Sequence, residues 1–351
     1  MVEALAVELA AADPSFLVQP FVERACDGLE RLELKDRVRH VATALEDVLP
    51  DDPGSIVAIL DEALGSPTFS GWMVWPCTEL IGRLGPDAPE VIVPFLARLT
   101  TRSSCEFAIR PCIEAHPELT FAALERWVDH EEEQVRRLVS EGTRPRLPWG
   151  VRLRGLQDDP RPTIALLDRL RDDPSGIVRR SVANHLGDIA KDHPDLATAT
   201  ARRWRDEGGD HVGEVIRHGL RALVKAGDAD ALELIGYDRA APVELTTAAI
   251  VPERLPIGGE AMVRVQLVAV GDAPVPVVVE YLVHYLGARG PRKAKAYRLA
   301  ERVLEPGERC DLRRRHTFDH ASIRTLYPGD QRVEFQVNGR VLGACTITLH
   351  A

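Results

Sequence analysis

The sequence predicts a multidomain α + β protein, with an all-α superhelix of repeated helical hairpins over residues 1–238 and an all-β sandwich over 242–351. Three observations predict it. Up to about Tyr237, apolar residues recur at helical spacing between short stops such as LPDDPGS, LGPDAPE, DDPSG and AGDAD. Within that half one segment returns three times, as EQVRRLVSEGT (133–143), GIVRRSVANHL (176–186) and GEVIRHGLRAL (213–223). From about Pro242 the pattern changes to period-two alternation in AMVRVQLVAV, VPVVVEYLVHYL, AKAYRLAERVL and QRVEFQVNG.

In the helical half, Val135, Val178 and Val215 lie 43 and 37 residues apart, the spacing of HEAT or armadillo hairpins. Each hairpin has one apolar stripe that it cannot bury alone, so neighbours stack and leave one concave face. In the middle copy Val178, Val182, Leu186 and Ile189 form the stacking stripe. Arg180, Asn184 and Asp188 fall roughly opposite. For a single helix that polar side reads as a solvated face held by weak side-chain pairs.

In the second half, VNGRV carries the Asn-Gly turn of a tight hairpin, and about seven short strands in roughly 110 residues fit an immunoglobulin-like sandwich. The six cysteines are scattered with no CxxC pair, which argues for reduced thiols and against a disulfide framework or zinc ribbon. No apolar run reaches membrane-spanning length, and MVEALAVELAAADPS does not read as a secretory signal. The net charge of -10 is unevenly spread: residues 1–101 hold 7 Lys+Arg against 17 Asp+Glu, while 241–351 hold 15 against 12. A polyanionic partner is therefore compatible with an acidic total.

The segments preceding Asp188 make its setting less ordinary. SEGTRPRLPWG places Arg144, Arg146 and Trp149 among two prolines, which stiffen a loop presenting two guanidinium groups and an indole. SSCEFAIRPCIEAHPE sets Glu106 and Arg110 one helical turn apart. Glu106, Glu141 and Asp188 thus come from three successive repeats, each beside arginines, and stacking brings them towards one groove. Carboxylates weaken simple phosphate binding, but they suit a site where positive charge must be stabilised. His185, His193, Asp188 and Asp192 lack a further histidine at zinc-ligand spacing, so no metal site is expected. There is no Gly-rich phosphate loop, GxSxG elbow or nucleophilic cysteine setting. Ser103-Ser104-Cys105 reads as a helix cap region, and Trp72 and Trp75 as core or groove wall.

SSCEFAIRPCIEAHPE, VRRLVSEGTRPRLPW, VRRSVANHLGDIAKDHPD and IRHGLRALVKAGDADAL resemble the AlkC branch of the HEAT-like alkylpurine DNA glycosylases. The second half, in VEYLVHYLGARGPRKAKAYRLAERVLEPGE and YPGDQRVEFQVNGR, resembles that branch's immunoglobulin-like domain. The chain departs from the family pattern at Gly187, where Asn is usual, and at Ile177, where Tyr is common. The resemblance implies excision of N3-alkylated bases such as 3-methyladenine and 3-methylcytosine without deep base flipping. An N3-alkylated base is already a cationic leaving group, and its departure gives an oxocarbenium-like sugar. On that reading Asp188 and Glu141 stabilise the sugar charge and position water, Glu106 is a third carboxylate, and Trp149 packs on the lesion nucleotide. Arg110, Arg144, Arg146, Arg179 and Arg180, with Arg292, Lys293 and Lys295 of the second domain, are expected to contact phosphates. No cofactor or metal is expected. The expected partner is double-stranded DNA containing alkylated bases, met by a cytoplasmic, nucleoid-associated monomer with no membrane attachment. The alternative is a HEAT-repeat scaffold or DNA-binding protein without catalysis, because solenoids are mostly binding modules.

Overall fold

Proline and aspartate set the helix starts. Asp52 accepts a hydrogen bond from the Ser55 amide (2.8 Å) ahead of Pro53, and Pro89, Pro117 and Pro194 each begin a helix, where a missing N–H is harmless. The computed structural model describes residues 1–288, 290–292, 294–320 and 325–351. It is helical up to Leu234 and strand-forming from Val243 onward, as the change in sequence pattern predicts. No helix among the described residues is long and apolar enough to cross a membrane.

The chain divides into two compact units. The first comprises Met1–His193 and Gly208–Gly219, and it contains all three copies of the recurring segment up to Gly219. They form the helices Glu133–Gly142, Gly176–Asp192 and Val212–Gly219, and the middle one packs against both others. Val135, Val178 and Val215 are all buried at those contacts. A Cβ at Gly219 would stand 2.8 Å from Leu186 Cδ2 and 3.1 Å from the Ala183 carbonyl, so glycine permits the third helix to approach this closely.

The second unit comprises Pro194–Glu207 and Leu220–Ala351. Its strands are β1 (Val243–Val251), β2 (Arg254–Pro256), β3 (Glu260–Ala269), β4 (Val275–His284) and β5 (Leu286–Gly287), then β6 (Gly290–Pro291), β7 (Lys295–Leu304), β8 (Arg309–Thr317), β9 (Gly329–Val337) and β10 (Arg340–His350). β1-β3-β8 form one sheet and β2-β10-β9-β4-β7 a second, with β5 and β6 paired separately. Alternate residues such as Val263, Val265 and Leu267 of β3 and Val277, Val279 and Tyr281 of β4 meet in one core. The Asn338-Gly339 turn joins β9 to β10, with φ 49° and 75°, as the hairpin motif requires.

The helical residues 220–238 are tied to this sandwich. Gln336 Nε2 donates to the Gly227 carbonyl (3.1 Å) and Asn338 Nδ2 to that of Asp238 (2.8 Å). Glu280, the acid inside the apolar β4, is buried against Gln336 (2.8 Å) and Arg298 (3.2 Å). The boundary between compact units therefore does not coincide with the change from helix to strand.

Candidate active site in the helical unit

The Gly176–Asp192 helix is buried almost all round, including the side that carries its carboxylate. Asp188 is 1% exposed. Its Oδ2 accepts from Arg144 Nε (2.9 Å) and its Oδ1 from Lys191 Nζ (2.9 Å). Arg144, also buried, reaches Glu141 Oε1 through Nη1 (2.7 Å), and the other Glu141 oxygen accepts from the Ser181 hydroxyl (2.7 Å). Burial pulls the Arg144 guanidinium down, but Glu141 and Asp188 more than offset that and leave it above its ordinary value. Two carboxylates thus share one enclosed cation. Around Asp188 the polar side of this helix is an internal network, in contrast to the solvated face expected of one helix in isolation, while Arg180 on the same side is exposed. Asn184, in the middle of that side, is half-buried and bonded to His218 (3.1 Å).

His185 lies beneath this network. Its Nδ1 is 2.9 Å from the Ser140 carbonyl and must donate, because a carbonyl only accepts. The opposite Nε2 is buried without a partner, and burial holds the ring neutral, with its pKa lowered to about 4. Among the described residues no group of His, Cys, Asp and Glu is placed to hold a metal ion.

The loop after Glu141 is fixed from beneath. Arg110 is 2% exposed and donates to the carbonyls of Gly142 (2.8 Å), Arg144 (2.9 Å) and Val151 (2.7 Å). Burial lowers its pKa to about 10, with Glu114 opposing. Lys35 Nζ adds a bond to the Trp149 carbonyl (2.5 Å). Between these clamps Trp149 sits at φ +66° with its side chain 66% exposed. A bulky residue in the left-handed region is strained by roughly 1–3 kcal/mol, and such strain persists only where the surroundings enforce it.

Trp149 forms one wall of an open recess of about 420 Å³, completed by Gly71, Trp72, Trp75, Ser103, Ser104, Glu106 and Phe107. Trp72 is 64% exposed and contacts Trp75 at 5.5 Å between ring centroids, and Trp75 stacks on Phe107 at 6.2 Å. Glu106 lies in the turn before the Arg110–Ala115 helix. Burial raises its pKa, Arg137 Nη1 (3.4 Å) opposes that, and the charge of Glu141 adds to the rise. Glu106, Glu141 and Asp188 are thus brought together from three successive layers. Ser103 and Ser104 do not cap a helix: Ser104 Oγ accepts from Arg137 (2.6 Å), and both serines line the recess. Sequence reasoning took Trp72 and Trp75 for core or wall. The available signal was GWMVWP, where Gly71 at φ +69° and Pro76 bracket a short 3₁₀ turn that exposes the first indole.

The arginines expected to meet phosphate occupy two different settings. Arg110 and Arg144 are buried and spend their donors on the protein's own acceptors, Arg110 on the loop carbonyls and Arg144 on Glu141 and Asp188. Arg146 makes a two-pronged pair with Asp192 (2.6 and 2.5 Å) on a recess of about 600 Å³ shared with Arg152, Arg154, Gln157 and His193. Arg179 donates to the carbonyls of Asp173 (2.8 Å) and Pro174 (2.9 Å) and lies 3.6 Å from Glu214. Arg180 is exposed. In the second unit Arg292 and Lys295 are exposed, with Lys295 Nζ 5.3 Å from the Tyr297 ring, while Lys293, like Arg289, lies outside the described residues.

Residues 244–351 match a family model described as "Uncharacterised protein YhaZ, C-terminal Ig-like domain". The chain is 34% identical to YhaZ of Bacillus subtilis (strain 168) over 310 residues, covering 88% of this chain and 85% of that protein. Among solved structures it is similar to the Pseudomonas fluorescens alkylpurine DNA glycosylase AlkC bound to DNA containing an abasic site analog. The identity there is 33% and the TM-score 0.86, over 100% of this chain and 98% of that one.

Proposed function

The chain belongs to the AlkC-type family of alkylpurine DNA glycosylases with a C-terminal immunoglobulin-like domain, and from that premise we propose that it excises alkylated bases from DNA. One observation carries the reading: Glu141 and Asp188 share the buried Arg144, and Glu106, near enough to feel the charge of Glu141, lines the recess walled by the strained, exposed Trp149. A cationic N3-alkylated base, such as 3-methyladenine or 3-methylcytosine, leaves without protonation. The protein's task is then to stabilise the positive sugar and deliver water. Fixed carboxylates act most strongly in such a dry setting, where they need not reorganise as charge develops. Trp149 packs against the lesion nucleotide from an open recess, and this openness favours chemistry without a deeply flipped base. Arg146 and Arg180, with Arg152 and Arg154, are the arginines of this unit best placed to meet phosphates, whereas Arg179 is largely enclosed and spends its donors on the Asp173 and Pro174 carbonyls. Arg292, Lys293 and Lys295 are assigned the same role in the second unit. The protein acts as a monomer on double-stranded DNA in the cytoplasm and requires no cofactor.

A scaffold without catalysis has no evident use for two enclosed carboxylates or for a left-handed tryptophan sharing a recess with a third. The deciding experiment incubates the purified protein with methylated duplex DNA and identifies released bases by chromatography, with and without chelator. Release of N3-methylated bases in both arms is expected. Failure to release any base returns the chain to the scaffold reading, and a strict metal requirement assigns it a different chemistry.

A further inference from the structure

We infer that Lys191 is a removable cap on Asp188, lifted by a phosphate of the substrate itself; the inference rests on the glycosylase reading above. Both Asp188 oxygens are occupied, one by Arg144 and one by Lys191. The Asp188 side chain is only 2% exposed, so these two cations cover the approach to its oxygens. Direct contact with a sugar or a water therefore calls for one of the two to move.

Arg144 is not the partner that leaves. It is buried and holds Glu141 as well, so its departure would strand two enclosed carboxylates. Lys191 differs in each respect. Its side chain is 53% exposed, and it ends in a point charge on a flexible four-carbon stem. Exchanging one anionic oxygen for another conserves its charge-assisted bond, provided that a phosphate comes within the stem's reach. Arg152 and Arg154 are exposed on the recess lined by Asp192, the residue after Lys191 on the last turn of the same helix. A phosphate attracted there arrives at the correct end of the helix.

The exchange has a chemical consequence. An ammonium bonded to Asp188 opposes the positive charge that develops on the sugar. Its removal frees Oδ1 and makes the site more negative by one charge at the moment when DNA is seated. Lys191 is thus a positioning residue that makes Asp188 dependent on a correctly placed phosphodiester.

The test is single-turnover excision at saturating protein from a duplex with one 3-methylcytosine. A neutral methylphosphonate replaces each flanking phosphate in turn. Wild-type protein should slow by about tenfold or more at one position, where nothing remains to draw Lys191 away. Lys191→Ala should be insensitive at that position. Its binding should lose about one unit of salt dependence. Lys191→Arg should remain sensitive. Equal sensitivity of wild type and Lys191→Ala at every position, or a Lys191→Ala rate as low as that of Asp188→Asn, overturns the cap. If wild type releases no base from ordinary DNA, the glycosylase reading has failed and the cap with it; loss of the cap alone leaves wild-type excision intact.

Discussion

Replacement of Asp188 by Asn tests the internal network and the chemistry together. The carboxamide keeps the shape but can offer its one oxygen to only one of two cations, Arg144 Nε or Lys191 Nζ. Lys191 is the one that can move into water, so the oxygen turns to Arg144 and the amide nitrogen faces outward. Breaking a buried ion pair outright costs about 3–5 kcal/mol. Here Glu141 still balances Arg144 and Lys191 relaxes into solvent, so the expected loss is about 2 kcal/mol. For a unit of this size that lowers Tm by roughly 4–8 °C. Excision should fall much further than stability suggests, by about 10²–10³ for a fixed stabiliser of the transition state. Single-turnover excision from a 3-methylcytosine duplex, well below the variant's own Tm, reads the chemistry, and thermal denaturation reads the network. An excision rate within about threefold of wild type refutes the catalytic assignment. An unchanged Tm refutes the claim that Asp188 is part of an enclosed charge network.

Three further outcomes are expected. Burial raises the Glu106 pKa, so its proton leaves at higher pH than an ordinary carboxylate's, and only the ionised form stabilises a cation. Excision should rise with pH through an inflection above the ordinary carboxylate range, and Glu106→Gln should abolish that inflection in a pH–rate profile corrected for spontaneous base loss. Arg110→Met leaves three backbone carbonyls short of a donor and should destabilise the protein by roughly 3–5 kcal/mol, seen by denaturant unfolding. A shallower salt dependence of DNA binding at unchanged stability would instead make Arg110 a phosphate anchor. Trp149→Gly relieves the left-handed strain while removing a mostly exposed side chain. Tm should hold or rise while excision drops, and a drop in Tm would show that the indole is there for packing.

Much of this site is legible in the sequence because repeats make position computable. Once Val135 and Val178 are recognised as equivalent, Glu141 and Asp188 must come from neighbouring layers, as the structure has them. Burial is harder to read. The helical period places Arg180, Asn184 and Asp188 on one polar side, but it cannot tell that Arg180 stays exposed, that Asn184 bonds His218 of the following layer and that Asp188 meets the preceding layer's Arg144. A 3.6-residue pattern separates apolar from polar, and it does not separate solvent from an enclosed polar network. The same limit applies to Arg110. Its guanidinium looks like a phosphate anchor until the carbonyls of Gly142, Arg144 and Val151, up to 41 residues away, are seen to converge on it. Trp72 and Trp75, read from the sequence as core or groove wall, line the recess that Trp149 also walls.

The enclosed arginine also resolves an apparent contradiction. Burying two bare carboxylates side by side would force at least one to take up a proton, since like charges in a dry setting disfavour joint ionisation. Arg144 opposes that repulsion by setting one cation between Glu141 (2.7 Å) and Asp188 (2.9 Å). A solvent-facing arginine could not do this, because water would screen it and its long side chain would sample other partners. Burial of Arg144 is therefore the condition under which Glu141 and Asp188 can both serve a developing positive charge. The Arg110 clamp on the Arg144 carbonyl holds the loop, and with it the guanidinium, in that position.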